Sequence, residues 1–180
     1  MQLRNASVSD VIQVRTLQAV GEREIQELSD VLIDCVEGGA SVSFMLPIDR
    51  ATAVAFWRGV AYGVERRERI LIAAENAAGK IVGCVQLIFV QAENQPHRAE
   101  IAKTLVHRRA RRQGVGAALM AAAERDARSA GKTLLVLDTA SGDAERLYAK
   151  LGWLRCGVIP GYALLPGGGL CDTTFFYRTL

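Results

Sequence analysis

The spacing of apolar residues changes along the chain and divides it into predicted helices and strands. From Arg23 to Glu37, apolar positions recur every three or four residues opposite an acidic face, which predicts an amphipathic helix. Gly38 ends this helix. Asp49 is placed to cap a second helix that reaches about Arg67.

The segment ahead of these helices has a weaker pattern. Residues 2–5 fit a short strand. Ser7 and Ser9 are cap candidates for a helical stretch that is interrupted near Gly21. We therefore expect a strand and then a helical stretch before the amphipathic helix begins.

The pattern changes at Arg69, where runs typical of β-strands begin. Residues 69–76 and 80–91 are rich in β-branched residues and flank a polar turn, which predicts an antiparallel hairpin. A third run, Ala99–Val106, continues the meander. Gly114–Ser129 then has the pattern of an alanine-rich helix, and Thr133–Asp138 that of an apolar strand. Strand, helix and strand form a βαβ unit, whose two strands run parallel.

The C-terminal part continues this alternation. A short helix is predicted over Ser141–Leu151, a strand over Trp153–Ile159, a glycine-rich loop over Pro160–Asp172 and a last strand over Thr173–Arg178. The predicted fold class is therefore α/β: a mixed, twisted sheet, antiparallel at its start and parallel at its centre, flanked by helices. A length of 180 residues, half of them hydrophobic, fits one domain over residues 1–180.

Composition argues against several classes of protein. No run approaches the roughly 20 apolar residues that cross a bilayer, and residues 1–10 lack the apolar core of a signal peptide. We therefore expect a cytoplasmic protein with no membrane partner. The net charge of +3 is too small to indicate nucleic acid as a partner. The cysteines have no paired spacing, so neither a disulfide framework nor a metal site is predicted; they are Cys35, Cys84, Cys156 and Cys171.

Charge is concentrated in the turn between the third strand and the alanine-rich helix, at Arg108, Arg109, Arg111 and Arg112. The first turn of a helix has unpaired backbone N–H groups and the positive end of the helix dipole, so it binds anions. Gly114 and Gly116 leave room for a phosphate to approach this backbone, and arginines add charged donors. The turn therefore predicts a pyrophosphate site, although its spacing fits neither the Walker pattern nor the three-glycine dinucleotide fingerprint. The alternative is a solvated loop before an ordinary helix.

Two segments resemble the GNAT superfamily of N-acetyltransferases. Arg111-x-x-Gly114-x-Gly116, between a strand and an alanine-rich helix, resembles the acyl-CoA motif of that family. Ala144 and residues 147–153, LYAKLGW, independently resemble its second motif, a short helix with a tyrosine followed by glycine and an aromatic residue. The likeness covers roughly residues 69–180.

The resemblance implies that acetyl-CoA is the cosubstrate and implies no metal. In that family the strand before the arginine turn separates from its parallel neighbour, and its free backbone N–H groups bind the thioester carbonyl and the pantetheine arm. The coenzyme-binding residues implied here are Thr104, Leu105, Val106, Arg111, Arg112, Gln113, Gly114, Val115, Gly116, Ala117, Ser141 and Tyr148.

Catalytic candidates follow from the same resemblance. Tyr148 matches the family tyrosine that donates a proton to the departing CoA thiolate, and its phenol has a suitable pKa. Glu100 and Asp138 would lie near the strand separation if both face the same side of the sheet. Either carboxylate could take the ammonium proton or bind the cation. We expect Glu100 as general base and Asp138 as substrate anchor, against the alternatives of a core tyrosine and two structural carboxylates.

Other residues are expected to wall the acceptor cleft. Phe44, Met45 and Tyr162 fall in segments that the family uses for this purpose, with local packing as the alternative. With Glu100 and Asp138 they form the predicted substrate-binding set. Residues 38–45 and 160–169 suggest a closed cleft.

Three positions depart from the family pattern. Arg108 stands where a proline is usual, and Ser141 where an asparagine often precedes the short helix. Arg112 occupies the place of the first glycine of the turn, which narrows the backbone angles available there.

The predicted function is transfer of an acetyl group to a primary amine of a small molecule, by direct attack in a ternary complex. Short stretches resemble the tabtoxin-resistance branch of the superfamily, which suggests a toxin, antibiotic or amino-acid-like acceptor; they are residues 38–42, 98–100, 137–139 and 160–162. Acetylation of a protein N-terminus or lysine, and a non-catalytic acyl-CoA sensor, remain as alternatives. The protein would act as a monomer or homodimer.

Overall fold

The structure, a computed structural model, describes residues 12–180. Seven strands form one sheet in the order β1-β2-β3-β4-β5-β7-β6. The strands are β1 (Gln13–Thr16), β2 (Arg69–Glu75), β3 (Ile81–Phe89), β4 (Arg98–Val106), β5 (Leu134–Thr139), β6 (Leu154–Leu164) and β7 (Leu170–Thr179). The helices are α1 (Glu22–Glu37), α2 (Arg50–Glu65), α3 (Val115–Ser129) and α4 (Gly142–Lys150), with a 3-10 turn at Arg108–Ala110.

The predicted fold class is confirmed. Neighbouring strands are antiparallel except β4 and β5, which run parallel because α3 carries the chain back between them. Asp49 caps α2 by accepting a hydrogen bond from the Thr52 N–H at 2.7 Å, as its position in the sequence predicts.

The sheet has a helix layer on each face. One core packs α3 against the sheet and centres on fully buried residues such as Leu119 and Leu87. The other packs α1 and α2 on the opposite face, with Leu32 and Trp57 at its centre. Because side chains alternate along a strand, each central strand serves both layers.

The prediction of a helical stretch before Gly21 is wrong for residues 13–16. These residues form β1 and pair antiparallel with β2, with Val14 opposite Ala74. The Arg15 guanidinium bonds the Glu75 carboxylate on the neighbouring strand at 2.8 Å. Tertiary pairing has therefore overridden a weak local pattern. The predicted strand at residues 2–5 and the caps Ser7 and Ser9 lie outside the described residues.

The predicted loop from Pro160 to Asp172 is confirmed only for residues 165–169. β6 continues to Leu164 and β7 starts at Leu170, so Tyr162 lies in a strand. Proline and glycine ordinarily interrupt strands, but β6 is the edge of the sheet, where an unused N–H and a bulge are tolerated. The register indeed shifts between Ile159 and Ala163.

The described residues hold no helix that is long and apolar enough to cross a membrane. No group of three or more His, Cys, Asp or Glu residues in residues 12–180 could hold a metal ion. Cys35 and Cys84 are buried free thiols, whereas Cys156 is exposed and Cys171 is partly buried.

Candidate active site

A gap opens between the two parallel strands. β4 and β5 pair only where Arg98–Glu100 face Leu134–Val136, although β4 continues to Val106 and β5 to Thr139. Beyond this short ladder, β4 keeps its partner β3 and β5 keeps its partner β7. The facing edges of the two strands therefore have backbone groups that no ladder uses, and such an edge can pair with an extended ligand.

A bulge in β4 lies beside this gap. Leu105 pairs with Cys84 and Ala102 with Gln86, so Lys103 and Thr104 together oppose the single residue Val85. Lys103 has a left-handed backbone, with φ of 51°. A bulge bends its strand and changes the direction of its side chains. Here it leaves the Lys103 side chain on the α1 and α2 face, beside Ser43 and Phe56, while Thr104 faces α3.

Thr104 and Tyr148 lie on the α3 side. The Thr104 hydroxyl donates to the Met120 sulfur at 3.8 Å, and its side chain lies close enough to the Tyr148 phenol to lower the pKa of that phenol. Tyr148 is only 5% exposed and packs between Trp153 and Phe176, with ring centroids 6.0 and 5.9 Å away. Tyr148 can therefore be a core residue and also act at the gap, because its ring packs in the core while its hydroxyl lies beside Thr104 of β4.

The Tyr148 phenol is kept protonated by its surroundings. Burial raises its pKa, the Thr104 side chain lowers it, and the negative charge of Asp138 raises it further. Asp138 is the last residue but one of β5. A phenol in this environment can donate a proton.

Glu100 and Asp138 share a face of the sheet. Glu100 pairs with Val136, and Asp138 lies two residues further along β5, so alternation directs both carboxylates to the α1 and α2 side. Both residues are exposed. Although the Asp138 residue is exposed, neighbouring protein atoms exclude part of the water around its carboxylate, and this raises its pKa. The positive charge of Lys103 lowers the same pKa. The two carboxylates therefore lie on the same side of the sheet, as the prediction of their roles requires.

Lys103 is a residue of this site that sequence reasoning missed. Its ammonium donates to the Ser43 hydroxyl at 3.1 Å and lies 5.8 Å from the centroid of the Phe56 ring. Burial lowers its pKa, and Asp138 and Glu100 raise it. A regular strand would place Lys103 and Glu100 on opposite faces, so only the bulge brings them together.

The start of α3 has the free backbone donors that the predicted anion site would need. Among the described residues, no hydrogen-bond acceptor is found for the backbone N–H groups of residues 113–116. Gly114 caps the helix in a left-handed conformation, with φ of 80°, and no atom would lie within 4 Å of a Cβ added there. Residues 111–114 are exposed. Donors and open space therefore coincide at the helix N-terminus.

Arg112 adopts the left-handed conformation that glycine would allow without strain. Its φ is 61°. A residue with a Cβ loses roughly 1 kcal/mol or more in this region. The exposed guanidinium in return adds a positive charge next to the free N–H groups of the turn.

Two of the four turn arginines are already engaged by the protein. Arg108 donates to Asp34 through its backbone N–H at 2.7 Å and its Nε at 2.9 Å. The Arg111 Nε donates to the Val106 carbonyl at 3.1 Å. The Val106 carbonyl also accepts from the Cys35 thiol at 3.5 Å. Arg108 and Arg111 thus hold the turn in place, and the charge open to a ligand is smaller than a count of arginines suggests.

The remaining predicted coenzyme residues have mixed surroundings. The Gln113 side chain donates to the Arg109 carbonyl at 3.1 Å, and the Val115 and Leu105 side chains are buried. A Cβ at Gly116 would meet Leu147 at 3.0 Å, so this glycine is needed for the packing of α4 on α3. Ala117 follows in the first turn of α3.

Ser141 caps the neighbouring helix. Its hydroxyl accepts from the Ala144 N–H at 3.4 Å at the start of α4. The exchange of asparagine for serine therefore preserves a cap there.

The predicted acceptor walls meet across the α1 and α2 face. The Ser41 hydroxyl donates to the Leu164 carbonyl at 3.0 Å, and the Leu46 N–H to the Pro166 carbonyl at 2.9 Å. The α1–α2 loop is thereby joined to the β6–β7 hairpin. This supports the expectation that these segments enclose a cleft.

The three predicted wall residues differ in their packing. Phe44 is partly buried edge-to-face against Phe56, with centroids 5.2 Å apart. Met45 is 45% exposed and Tyr162 51% exposed. Tyr162 stacks edge-to-face on Phe175, the partner of Asp138 in the sheet, which places it on the Asp138 face.

The chain matches the acetyltransferase (GNAT) family over residues 40–153. Because this is more than half of the 180 residues, the chain belongs to that family. The resemblance in the arginine turn and the α4 segment is thus confirmed at the level of the superfamily.

Particular relatives agree with this assignment. Over 129 residues the chain is 27% identical to an uncharacterized N-acetyltransferase from the hisH-hisA intergenic region of Azospirillum brasilense, covering 71% of this chain and 74% of that one. A ribosomal-protein-alanine N-acetyltransferase of Brucella melitensis has the same fold, with a TM-score of 0.78, 22% identity and coverage of 93% and 99%. An acetyltransferase of Salmonella typhimurium solved with its cofactor acetyl-CoA gives a TM-score of 0.75 at 17% identity, with 94% of each chain covered.

Proposed function

We propose that this chain, acting as one domain over residues 1–180, transfers an acetyl group from acetyl-CoA to a primary amine of a small molecule. The amine attacks directly, in a complex that holds both substrates. The observation that supports this most strongly is the gap between β4 and β5. It has Tyr148 on one face, Glu100 and Asp138 on the other, and free N–H groups at the start of α3 beyond it.

The residues at this gap fit the coenzyme. A diphosphate suits the free N–H groups of residues 113–116 and the exposed charge of Arg112. An extended, amide-bearing arm suits the unpaired edge of residues 104–106 on β4. Acetyl-CoA would supply an acetyl group activated as a thioester.

Each proposed role is assigned to a group in the gap. The Tyr148 phenol holds the proton that the departing sulfur needs, and its raised pKa keeps that proton in place. Glu100 takes the proton of the attacking ammonium group. Asp138 binds the same group as an anion and orients it. The backbone N–H groups of β4 hold the carbonyl oxygen as negative charge develops on it.

A small acceptor is favoured by the contacts that join the α1–α2 loop to the β6–β7 hairpin. These contacts leave less room for a folded protein substrate. The likeness to the tabtoxin-resistance branch makes amine-bearing toxins and antibiotics reasonable members of a first screen. Protein acetylation and a non-catalytic acyl-CoA sensor are the outcomes that a test must separate from this function.

The test combines binding and turnover. Calorimetry with CoA and acetyl-CoA measures the coenzyme site, and release of free thiol with a panel of small amines, peptides and proteins measures transfer, with products identified by mass. We expect turnover with small amines, and we expect Tyr148→Phe to slow it without weakening CoA binding. Tyr62→Phe is the matched control, because Tyr62 is 59% exposed on α2. Binding without thiol release would support the sensor instead, and absence of binding would overturn the assignment.

A further inference from the structure

We propose that Lys103 and Ser43 form an anion-binding subsite of the acceptor cleft, and that the acceptor therefore carries a carboxylate beside its amine. This inference rests on the proposed function, because the subsite lies on the face where the acceptor would bind. It narrows the acceptor from any small amine to amino acids and molecules of similar charge distribution.

The first observation is the state of the Lys103 ammonium. Its one hydrogen bond within the described residues goes to the Ser43 hydroxyl, at 3.1 Å. No carboxylate of residues 12–180 lies within the 4.0 Å that defines an ion pair. An ammonium has three N–H donors, so two remain for a ligand. The Ser43 hydroxyl can rotate to donate to the same ligand.

The second observation is strain at both residues. Lys103 has φ of 51° and Ser43 has φ of 77°, although neither is glycine. Each such conformation costs on the order of 1 kcal/mol or more and persists only where the surroundings impose it. The strained bulge of β4 and the strained turn of the α1–α2 loop meet at this hydrogen bond. Strained backbone conformations occur preferentially at ligand-binding sites, so the strain at Lys103 and Ser43 supports a ligand site at their contact.

The third observation is the arrangement of charge. Glu100 and Asp138 lie on the same face as Lys103, and both act on its charge. A simple amine would meet two carboxylates but also a repelling ammonium. An acceptor with one positive and one negative group would place its ammonium at Glu100 and Asp138 and its carboxylate at Lys103. The edge-to-face pair of Phe44 and Phe56 lies beside the ammonium and would limit water around the ion pair, which strengthens it.

The test uses pairs of acceptors that differ only in the anion. Free L-amino acids are compared with their primary carboxamides and with the amines that lack the carboxyl group, by thiol release from acetyl-CoA. For any amino acid that is acetylated, we expect kcat/KM to be at least about 10-fold higher than for its carboxamide, mainly because its KM is lower. Lys103→Gln should lower kcat/KM for the acid to the level of its amide, so that the ratio of the two values falls to about 1. Lys103→Arg should keep part of the preference.

Two further variants keep the test decisive. Ser43→Ala reports on the same subsite should Lys103→Gln fail to fold, and we expect it to reduce the preference for acids about 2- to 5-fold. Lys80→Gln is the matched control, since Lys80 pairs with Asp30 at 3.2 Å away from the site. Equal rates for acids and amides, or an equal loss on both in Lys103→Gln, would overturn the subsite.

Failure of the subsite is distinguishable from failure of the proposed function. If amines without a carboxylate are acetylated and amino acids are not, the function stands and the inference is wrong. If neither series is acetylated while acetyl-CoA binds, the inference is also wrong. If acetyl-CoA does not bind to folded protein, the proposed function itself fails.

Discussion

The Asp34 carboxylate lies 2.7 Å from the backbone nitrogen of Arg108, so the last turn of α1 holds the first residue of the arginine turn. The same carboxylate accepts from the Arg108 Nε at 2.9 Å and lies 3.5 Å from the His107 Nδ1. Arg108 stands where the family usually has proline, and this ion pair restrains the turn that a proline ring would otherwise stiffen. Because α1 leads directly into the α1–α2 loop, this carboxylate links the arginine turn to the helix that precedes that loop.

Loss of this contact should weaken coenzyme binding. Asp34→Ala removes the acceptor for two Arg108 donors, and we expect the Kd for CoA to rise about 10-fold because the turn is no longer held in its binding geometry. Calorimetry measures this directly, and kcat at saturating acetyl-CoA should change little. Glu37→Gln is the control, since Glu37 is half exposed and 3.8 Å from the Arg108 guanidinium. An unchanged Kd in folded Asp34→Ala would show that the contact does not position the turn.

Removal of the Tyr148 hydroxyl should reduce kcat by about 100-fold, which is within the usual contribution of a general acid. Burial raises the pKa of Tyr148 above its usual 10.0, so the phenol stays protonated across the neutral range. The wild-type rate should therefore show a decline due to this group only above pH 10.0. A pH–rate profile of Tyr148→Phe should lack that decline. An identical alkaline limb in both proteins would assign it to another group.

Substitution of the two carboxylates should separate their roles. Glu100→Gln removes the proposed base, and we expect kcat to fall by about 100-fold. Asp138→Asn removes the proposed anchor, so KM for the acceptor should rise about 10-fold while kcat changes less. Steady-state kinetics with a productive acceptor measures both effects. The reverse pattern would exchange the two assignments.

Asp138→Asn should also stabilise the protein at neutral pH. Burial raises the pKa of Asp138 in the folded state, so folding favours its protonated form. The free energy of unfolding then falls as pH rises from the unfolded pKa, about 3.8, through the higher folded pKa. An uncharged side chain avoids this loss, so Tm should be higher than wild type at pH 7 and equal to it in acid. A lower Tm at neutral pH would mean that Lys103 stabilises the ionised form by more than burial disfavours it.

Arg112 offers a test of backbone strain. Arg112→Gly and Arg112→Ala both remove the guanidinium, and both should weaken CoA binding. Only glycine relieves the left-handed conformation at φ of 61°, so Arg112→Gly should be more stable than Arg112→Ala by about 1 kcal/mol. Chemical denaturation of the two variants gives the difference. Equal stability would mean that the turn relaxes to another conformation when the arginine is lost.

Much of the fold follows from local patterns. Apolar spacing predicts α1, and the capping residue Asp49 predicts α2. The hairpin β2–β3 and the parallel pair β4–β5 follow from apolar runs, a polar turn and a crossover helix. The glycines of the arginine turn and the α4 segment carry enough information to indicate the superfamily. These features are predictable because each depends on residues that are close in sequence.

The acceptor half of the site is different in kind. The sequence does not reveal the strand register, so it could not show whether Glu100 and Asp138 lie on the same face of the sheet. Tyr162 was expected in a loop because Pro160 and Gly161 ordinarily end a strand. The edge position of β6 tolerates both residues, and strand order is a property of the whole sheet.

The sequence by itself determined the class of fold and the superfamily, and it predicted the arginine turn and Tyr148 as candidate site residues, since these depend on periodicity and on short motifs. Only the tertiary structure decided where Lys103 points and what holds Arg108. The Lys103–Ser43 and Arg108–Asp34 contacts span 60 and 74 residues of chain. The bulge in β4 reverses the expected direction of a side chain by inserting one residue against β3, and that insertion is fixed by pairing between strands rather than by any local pattern.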